Sequence, residues 1–412
     1  MRTSIMWSSA TKLLLLLSLL AGVLSFVKFD HCINSNWATP DVDIHACYSD
    51  IPSLFTDRGL NTHQWAYSNG DKAIEYPVVM GAIMWATTWL TPAAGNEIRN
   101  YFYINALLLL LLFVGVVLLI GKMRPKFAYL LPVAPAVIGS LFINWDMWGI
   151  ITMILAIYYF DRHHYSASAI ALAVSIATKF FPVLLLLPIL FIFWKGRRVR
   201  EASHYLLMTV FVWFAINAPV FLTTPKGWWR FYDLNLNRDA DWGSIWYALS
   251  LLGINMNHLN YFSILSVVVI LLLFLLFLAD FDTPLPLAQV SFILIASVLC
   301  VGKVYSPQYV LWLAPLAILA LRDRRDLPAF WIWQGGEAVY HVAIWQHLAL
   351  VSGAHFGLPD GAYAIATLIR IAATLYFLLV LVRRALKNPS QPRKEARGRL
   401  ADFLFGTAES YP

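Results

Sequence analysis

Charge is what this chain has least of. Only 13% of its 412 residues are Asp, Glu, Lys or Arg, against 60% hydrophobic ones, and the mean hydropathy is +0.65. A soluble domain cannot hide that much apolar surface, because exposed area shrinks too slowly with size. Lipid has to cover it. Nor does the net charge of +7 point to nucleic acid. The basic residues stand in short clusters between apolar runs, the pattern of cytoplasmic loops in a membrane protein.

Cysteine is almost as scarce, with three residues. Cys300 lies in an apolar run and reads as packed core. Cys32 and Cys47 share one polar loop, where a disulfide suits an oxidising compartment and two free thiols a reducing one. Several catalytic signatures are missing: no Walker loop, no G-x-G-x-x-G after a strand, no H-E-x-x-H and no zinc spacing. No nucleotide or cofactor is therefore expected, no metal is required though metal dependence stays open, and Asp41-x-Asp43 is a D-x-D of the kind that arises by chance. No internal repeat is evident, which weighs against inverted-repeat transporters. The apolar stretch 13–27 is long for a leader and is followed by no clear cleavage site, so it reads as a first span.

What is present is a series of apolar runs. A bilayer crossing takes about 17–25 apolar residues, fewer where neighbours shield the helix. Twelve segments qualify: 13–27, 101–120, 127–143, 147–160, 167–178, 180–194, 205–222, 261–279, 287–302, 309–321, 329–351 and 363–382. The expectation is an all-α polytopic membrane protein, with residues 1–382 as its transmembrane domain and 383–412 as a basic, disordered cytoplasmic tail near anionic lipid. With the N-terminus inside, 20 of the 30 Lys and Arg residues fall on the cytoplasmic side and only six in the outer loops, in accord with the positive-inside bias. Segment 78–90 is apolar but short and flanked by Pro77 and Pro92. It reads as a helix at the outer interface, the alternative being a short span. Two outer loops result: an acidic one at 30–76, extending to 100 with the interfacial helix, and a tryptophan-rich one at 223–260.

The first loop is the place to look for chemistry. Acidic loops are often only solvated surface. Here the acids sit among aromatics, as in Tyr48-Ser49-Asp50-Ile51 and Glu75-Tyr76-Pro77. A carboxylate pressed against a membrane boundary is partly desolvated, which raises its pKa toward the range of a general base. Lys179 and Lys303 stand near outer helix ends. Snorkelling accounts for one such lysine; two at one depth suggest an anionic ligand such as a lipid phosphate, with Arg230 and Arg238 completing the cluster. Asn144-Trp145-Asp146 is a tight outer turn, from which Asp146 could reach a sugar. Glu337 and Arg370 fall near mid-bilayer depth, where a lone charge costs at least ~2.5–3.5 kcal/mol. They are expected to pair and tie the last two helices together, unless Glu337 meets His341 one turn along. Were either on a water-filled path, a transporter or flippase for a polyprenyl-linked or anionic lipid would be the rival reading, with a non-catalytic envelope scaffold as a third.

Taken in order, Tyr48-Ser49-Asp50-Ile51, Glu75-Tyr76-Pro77, Asn144-Trp145-Asp146, Thr178-Lys179-Phe180-Phe181-Pro182, Arg238-Asp239-Ala240-Asp241-Trp242 and Tyr305-Ser306-Pro307-Gln308-Tyr309 resemble the actinobacterial members of glycosyltransferase family 87. These are GT-C-fold enzymes related to polyprenyl-phosphate-mannose-dependent mannosyltransferases. The resemblance runs from about residue 30 to 346. It implies a GT-C-type bundle of about 12 helices and inverting transfer of a sugar, mannose by analogy, from a polyprenyl phosphate to a lipid or glycan hydroxyl at the outer leaflet. It further implies a general base in the first outer loop. Asp50 matches best, with Asp57 as runner-up. Asp57, Glu75, Tyr76, Asp146, Lys179, Arg230, Arg238, Asp241, Trp242, Lys303, Tyr305 and Gln308 are the expected substrate-binding residues. The chain is short for the class, which puts a complex acceptor in doubt.

Overall fold

A computed structural model describes residues 8–68 and 70–387. The basic tail expected beyond the last helix falls mostly at 388–412, outside the described residues, as does Arg2. Among the described residues the chain forms helices and helical turns, with no β-strand. The first loop carries four short helices after α1 (Ser9–Lys28): α2 (Asp30–Ser35), α3 (Asp41–Ile44), α4 (Asp50–Asp57) and α5 (Val78–Thr88). Then come α6 (Glu97–Met123), α7 (Leu130–Val133), α8 (Pro135–Ser140), α9 (Met147–Asp161) and α10 (Tyr165–Thr178). They are followed by α11 (Leu186–Lys195), α12 (Val199–Thr223), α13 (Pro225–Asn237) and α14 (Ile245–Leu251). The chain closes with α15 (Leu259–Ala279), α16 (Leu287–Val301), α17 (Val310–Ala320), α18 (Leu327–Val351) and α19 (Asp360–Leu386).

Five helices, α1, α6, α12, α15 and α19, are long and apolar enough to cross a membrane. Among them α1, α12 and α15 lie at the edge of the bundle. Leu16, Val23, Phe211, Phe214, Ile264 and Leu272 leave large apolar areas uncovered there, which only lipid can satisfy at this density. At the centre α17 is buried along its whole length. That explains how so short an apolar helix is stable: protein, not lipid, surrounds it, and no hydrophobic length has to be matched. It packs on α16, α9 and α8. The architecture is that of an all-helical, multi-pass membrane protein.

The expected span at 127–143 is not one helix. Proline lacks the N–H an interior turn needs, and at Pro135 the chain breaks into α7 and α8, with Ala134 extended between them (ψ 118°). Beyond Ser140 the backbone stays irregular up to α9. Carbonyls left without helical partners must be satisfied elsewhere. Those of Phe142 and Ile143 accept from the Ser49 hydroxyl at 2.8 and 3.1 Å, and Ile143 O also accepts from Asp50 N at 2.7 Å. The broken span thus docks the acidic loop.

Segment 78–90 becomes α5. Its N-terminal flank meets Tyr67, whose hydroxyl donates to the carbonyls of Tyr76 and Pro77 at 2.9 Å. Its C-terminal end meets His63, which bonds Thr88 at 2.9 Å and stacks on Trp89. Its eleven residues extend only ~16 Å; both ends rest on the first loop, and the helix packs on α10, α12 and α6.

The first loop is closed on itself by a Cys32–Cys47 disulfide, while Cys300 is a buried thiol. Deep in the bundle Arg370 Nε and Glu337 Oε2 form an ion pair of 2.8 Å between α19 and α18, both side chains essentially sealed from solvent. Arg370 also donates to the carbonyls of Tyr305 and Ser306, and its guanidinium lies over the Tyr305 ring. His341 contacts Lys28 at 2.9 Å and Ser140 at 3.4 Å, rather than Glu337.

Candidate active site

Asp50 opens α4, one residue after Ser49, whose hydroxyl caps the helix by accepting from Ile51 N at 3.2 Å. A serine here satisfies one of the helix's free N–H groups and, through the Phe142 carbonyl, bolts the turn to the broken span. The Asp50 carboxylate is held from two sides: Tyr48 donates to Oδ1 and Tyr76 to Oδ2, each at 2.9 Å. Burial pushes its pKa up to about 6, against the opposing pull of the two tyrosines and of Lys179. A carboxylate offers about four acceptor positions. Two are taken, leaving room for a substrate hydroxyl.

Facing it, at the end of α10, Lys179 Nζ pairs with Asp146 Oδ1 at 2.9 Å. The ammonium sits between the rings of Tyr76 and Tyr309, 5.0 and 5.3 Å from their centroids. Asp146 is fully buried, and its second oxygen, Oδ2, has no hydrogen-bond partner, nor has Nδ2 of Asn144 two residues earlier.

Two cavities meet at Asp50. The larger, about 590 Å³, runs past Lys179 and Arg238 between apolar walls that include Phe180, Phe231 and Leu236. The smaller, about 340 Å³, is lined by Asp43, Asp241, Trp242 and Trp345. Tyr48, Asp50, Ser306 and Gln308 border both. One chamber is therefore apolar with a cationic end, and the other is acidic and aromatic.

The second loop closes these chambers. Arg238 Nη2 pairs with Asp241 Oδ1 at 2.9 Å, and the Ser306 hydroxyl donates to Asp241 Oδ2 at 3.0 Å. Gly243 makes this fit possible: a Cβ there would run into the Tyr305 carbonyl and the Tyr340 hydroxyl.

The expected site residues divide by position. Asp50, Glu75, Tyr76, Lys179, Arg238 and Gln308 border the larger chamber; Asp241 and Trp242 line the smaller. Glu75 is engaged by Arg58 in a two-pronged pair at 2.6 and 2.7 Å. Asp146 stands behind Lys179. Others lie elsewhere. Asp57 is exposed at the far end of α4, about two turns or ~10 Å from Asp50. Lys303 donates to the carbonyls of Arg238 and Leu236 at 2.8 and 3.3 Å and to Asn260, stapling the second loop. Tyr305 is buried, its hydroxyl donating to Glu337 Oε1 at 2.7 Å. Arg230 is on α13 and borders neither chamber.

Tyr48, Ser306, Trp345 and Asp43 line the chambers without being among the expected site residues. Ser306 and Tyr48 carry no charge, Trp345 sits inside an apolar run, and Asp43 is one acid among many in its loop. A signal existed for Tyr48 and Ser306, since both belong to motifs in which only the neighbouring charged residue draws attention.

No protein-family model matches this chain, and no curated protein matches it. Among solved structures it is similar to the crystal structure of ArnT from Cupriavidus metallidurans bound to undecaprenyl phosphate. The similarity covers 91% of this chain and 78% of that one, at 15% identity and a TM-score of 0.46. A likeness at that level assigns neither a function nor a site to this chain.

Proposed function

We propose that the protein is a membrane glycosyltransferase of GT-C type that moves a sugar from a polyprenyl-phosphate donor to a hydroxyl acceptor. One observation carries this reading: a partly desolvated carboxylate at the meeting point of an apolar chamber with a cationic end and a smaller acidic, aromatic one. A lipid phosphate matches the first, its isoprenoid chain along Phe180, Phe231 and Leu236 and its phosphate toward Lys179 and Arg238. A neutral polyhydroxyl acceptor matches the second, where Asp43 and Asp241 accept hydroxyl hydrogens and Trp242 and Trp345 cover a ring face.

Asp50 is the general base. It takes the acceptor proton as the oxygen attacks the anomeric carbon from the side opposite the phosphate, which inverts that centre. The bond from carbon to phosphate oxygen breaks, and the electron pair leaves with the phosphate. Proton removal by a positioned base contributes typically ~10²–10⁴ in rate. The growing phosphate charge is met by Lys179 and Arg238, fixed before the reaction by Asp146 and Asp241 and so needing little reorganisation. By the family resemblance the sugar is mannose, the acceptor a lipid or glycan, and the site faces away from the cytoplasm with both termini inside.

Membranes containing the protein, incubated with radiolabelled polyprenyl-phosphate mannose, test the assignment. Label is expected in a product larger than the freed sugar and dependent on the protein. Label remaining wholly on the donor while another polyprenyl-phosphate hexose is consumed would correct the sugar; none consumed would overturn the reading.

A further inference from the structure

Outside both chambers, on the exposed side of the first loop, three side chains converge. His31 Nε2 is 2.6 Å from Asp41 Oδ2, and His45 Nε2 is 3.5 Å from Asp41 Oδ1. The two imidazoles stack, with centroids 3.6 Å apart and planes inclined by 24°. One nitrogen or oxygen from each residue lies within 4.8 Å of the others. Side-chain exposures of 45%, 33% and 44% leave the cluster open to solutes.

We infer that His31, Asp41 and His45 form a binding site for a divalent transition metal of the zinc class, with a fourth, open position for water. Two imidazoles and one carboxylate are a donor set that such borderline ions favour over magnesium or calcium. A tetrahedral ion ~2.0–2.2 Å from its ligands sets them roughly 3.3–3.5 Å apart. The 3.5 Å from His45 to Asp41 Oδ1 falls in that range and the 2.6 Å from His31 to Asp41 Oδ2 below it, so the His31 ring has to draw back and the two stacked rings have to turn toward a shared ion.

The loop is held ready for this. Cys32 follows His31 directly and Cys47 lies two residues beyond His45, and the disulfide between them ties both histidine-bearing segments together. The site also has a route to the chambers. Asp41 and His45 flank the single turn of α3, whose Val42 and Asp43 line the acidic chamber, as does Thr39 just before it. On the inner side, Ser352 and Gln346 of the α18 end hold Asp43 and the Ile44 carbonyl at 3.0 and 3.1 Å. An ion on the outer side would pin α3 from its other face and stiffen that chamber wall. The inference does not depend on the transferase reading.

The test is calorimetric titration of zinc into the detergent-solubilised full chain after chelator treatment. One equivalent is expected to bind. His31→Ala and His45→Ala should each weaken it at least tenfold, and Asp41→Asn should do so without removing a hydrogen-bonding side chain. Cobalt should give the visible bands of a tetrahedral site, abolished by added zinc, and zinc should slow amide exchange over residues 39–47. The two histidines are exposed and Asp41 is half-buried, and unchanged gel-filtration profiles of the variants will show that they fold. Absence of stoichiometric binding to the native chain, or binding indifferent to all three substitutions, would overturn the inference.

Discussion

As the proposed general base, Asp50 should show in its pH response the surroundings that hold its carboxylate. With a pKa near 6, the fraction able to act as a base falls about tenfold per unit well below pH 6. The transfer rate at saturating substrates is therefore expected to decline on the acid side with a midpoint near 6. A rate flat from pH 7 to 4.5 would show that the group limiting the reaction is not this carboxylate. The same shift bears on stability. A carboxyl whose pKa is higher folded than unfolded holds more protons in the folded chain between about pH 4 and 6, so its contribution to stability falls as pH rises through that window. At neutral pH the ionised group is therefore destabilising. Asp50→Asn should melt no lower than the native chain at pH 7, with any advantage shrinking toward pH 4.

Lys179 and Arg370 require different treatment, because each is half of a shielded pair. Removing one partner of a buried pair leaves an uncompensated charge, which costs ~3–5 kcal/mol. Glu337→Gln is expected to destabilise by that order through Arg370, measurable as a drop in the denaturant midpoint in detergent. Lys179→Ala should likewise strand Asp146. The double change Lys179→Met with Asp146→Asn should recover stability but not transfer activity. Recovery of both would place the pair outside the reaction.

At the scale of elements, a broken span and a closed loop decide where the site forms. Pro135 was legible as a proline in an apolar run, but the run's length suggested a continuous span. The consequence of the break exists only in three dimensions: the free carbonyls of Phe142 and Ile143 are the groups that hold Ser49 and Asp50. The other helices were readable because an apolar run bounded by polar turns has few alternatives in lipid. Side-chain direction was not readable in this way. Lys179 and Lys303 look alike as lysines at the ends of apolar helices, yet one enters a chamber and the other binds loop carbonyls. The His31, Asp41 and His45 cluster shows no recognisable metal spacing because His31 comes from α2, while Asp41 and His45 stand at the two ends of α3. The second loop depends on the close approach at Gly243. Gly243→Ala is expected to cost about 1–3 kcal/mol, the usual cost of overpacking, and to lower transfer activity by displacing Asp241 and Arg238. Equal activity and melting temperature would mean that the loop adapts freely.

For the molecule as a whole, the bundle separates two tasks. Long peripheral helices meet lipid with Leu, Val and Phe, while short inner ones such as α17 build a protein-lined core. Its cap brings together residues as distant in sequence as Asp50, Lys179, Asp241 and Gln308, a convergence that no local motif displays. The most direct measurement is single-turnover transfer by Asp50→Asn at saturating polyprenyl-phosphate donor, with donor binding measured on the same preparation. If Asp50 is the base, the rate falls at least 10²-fold below native while donor affinity stays within a few-fold of it. A native rate in a variant that binds donor normally would contradict that role.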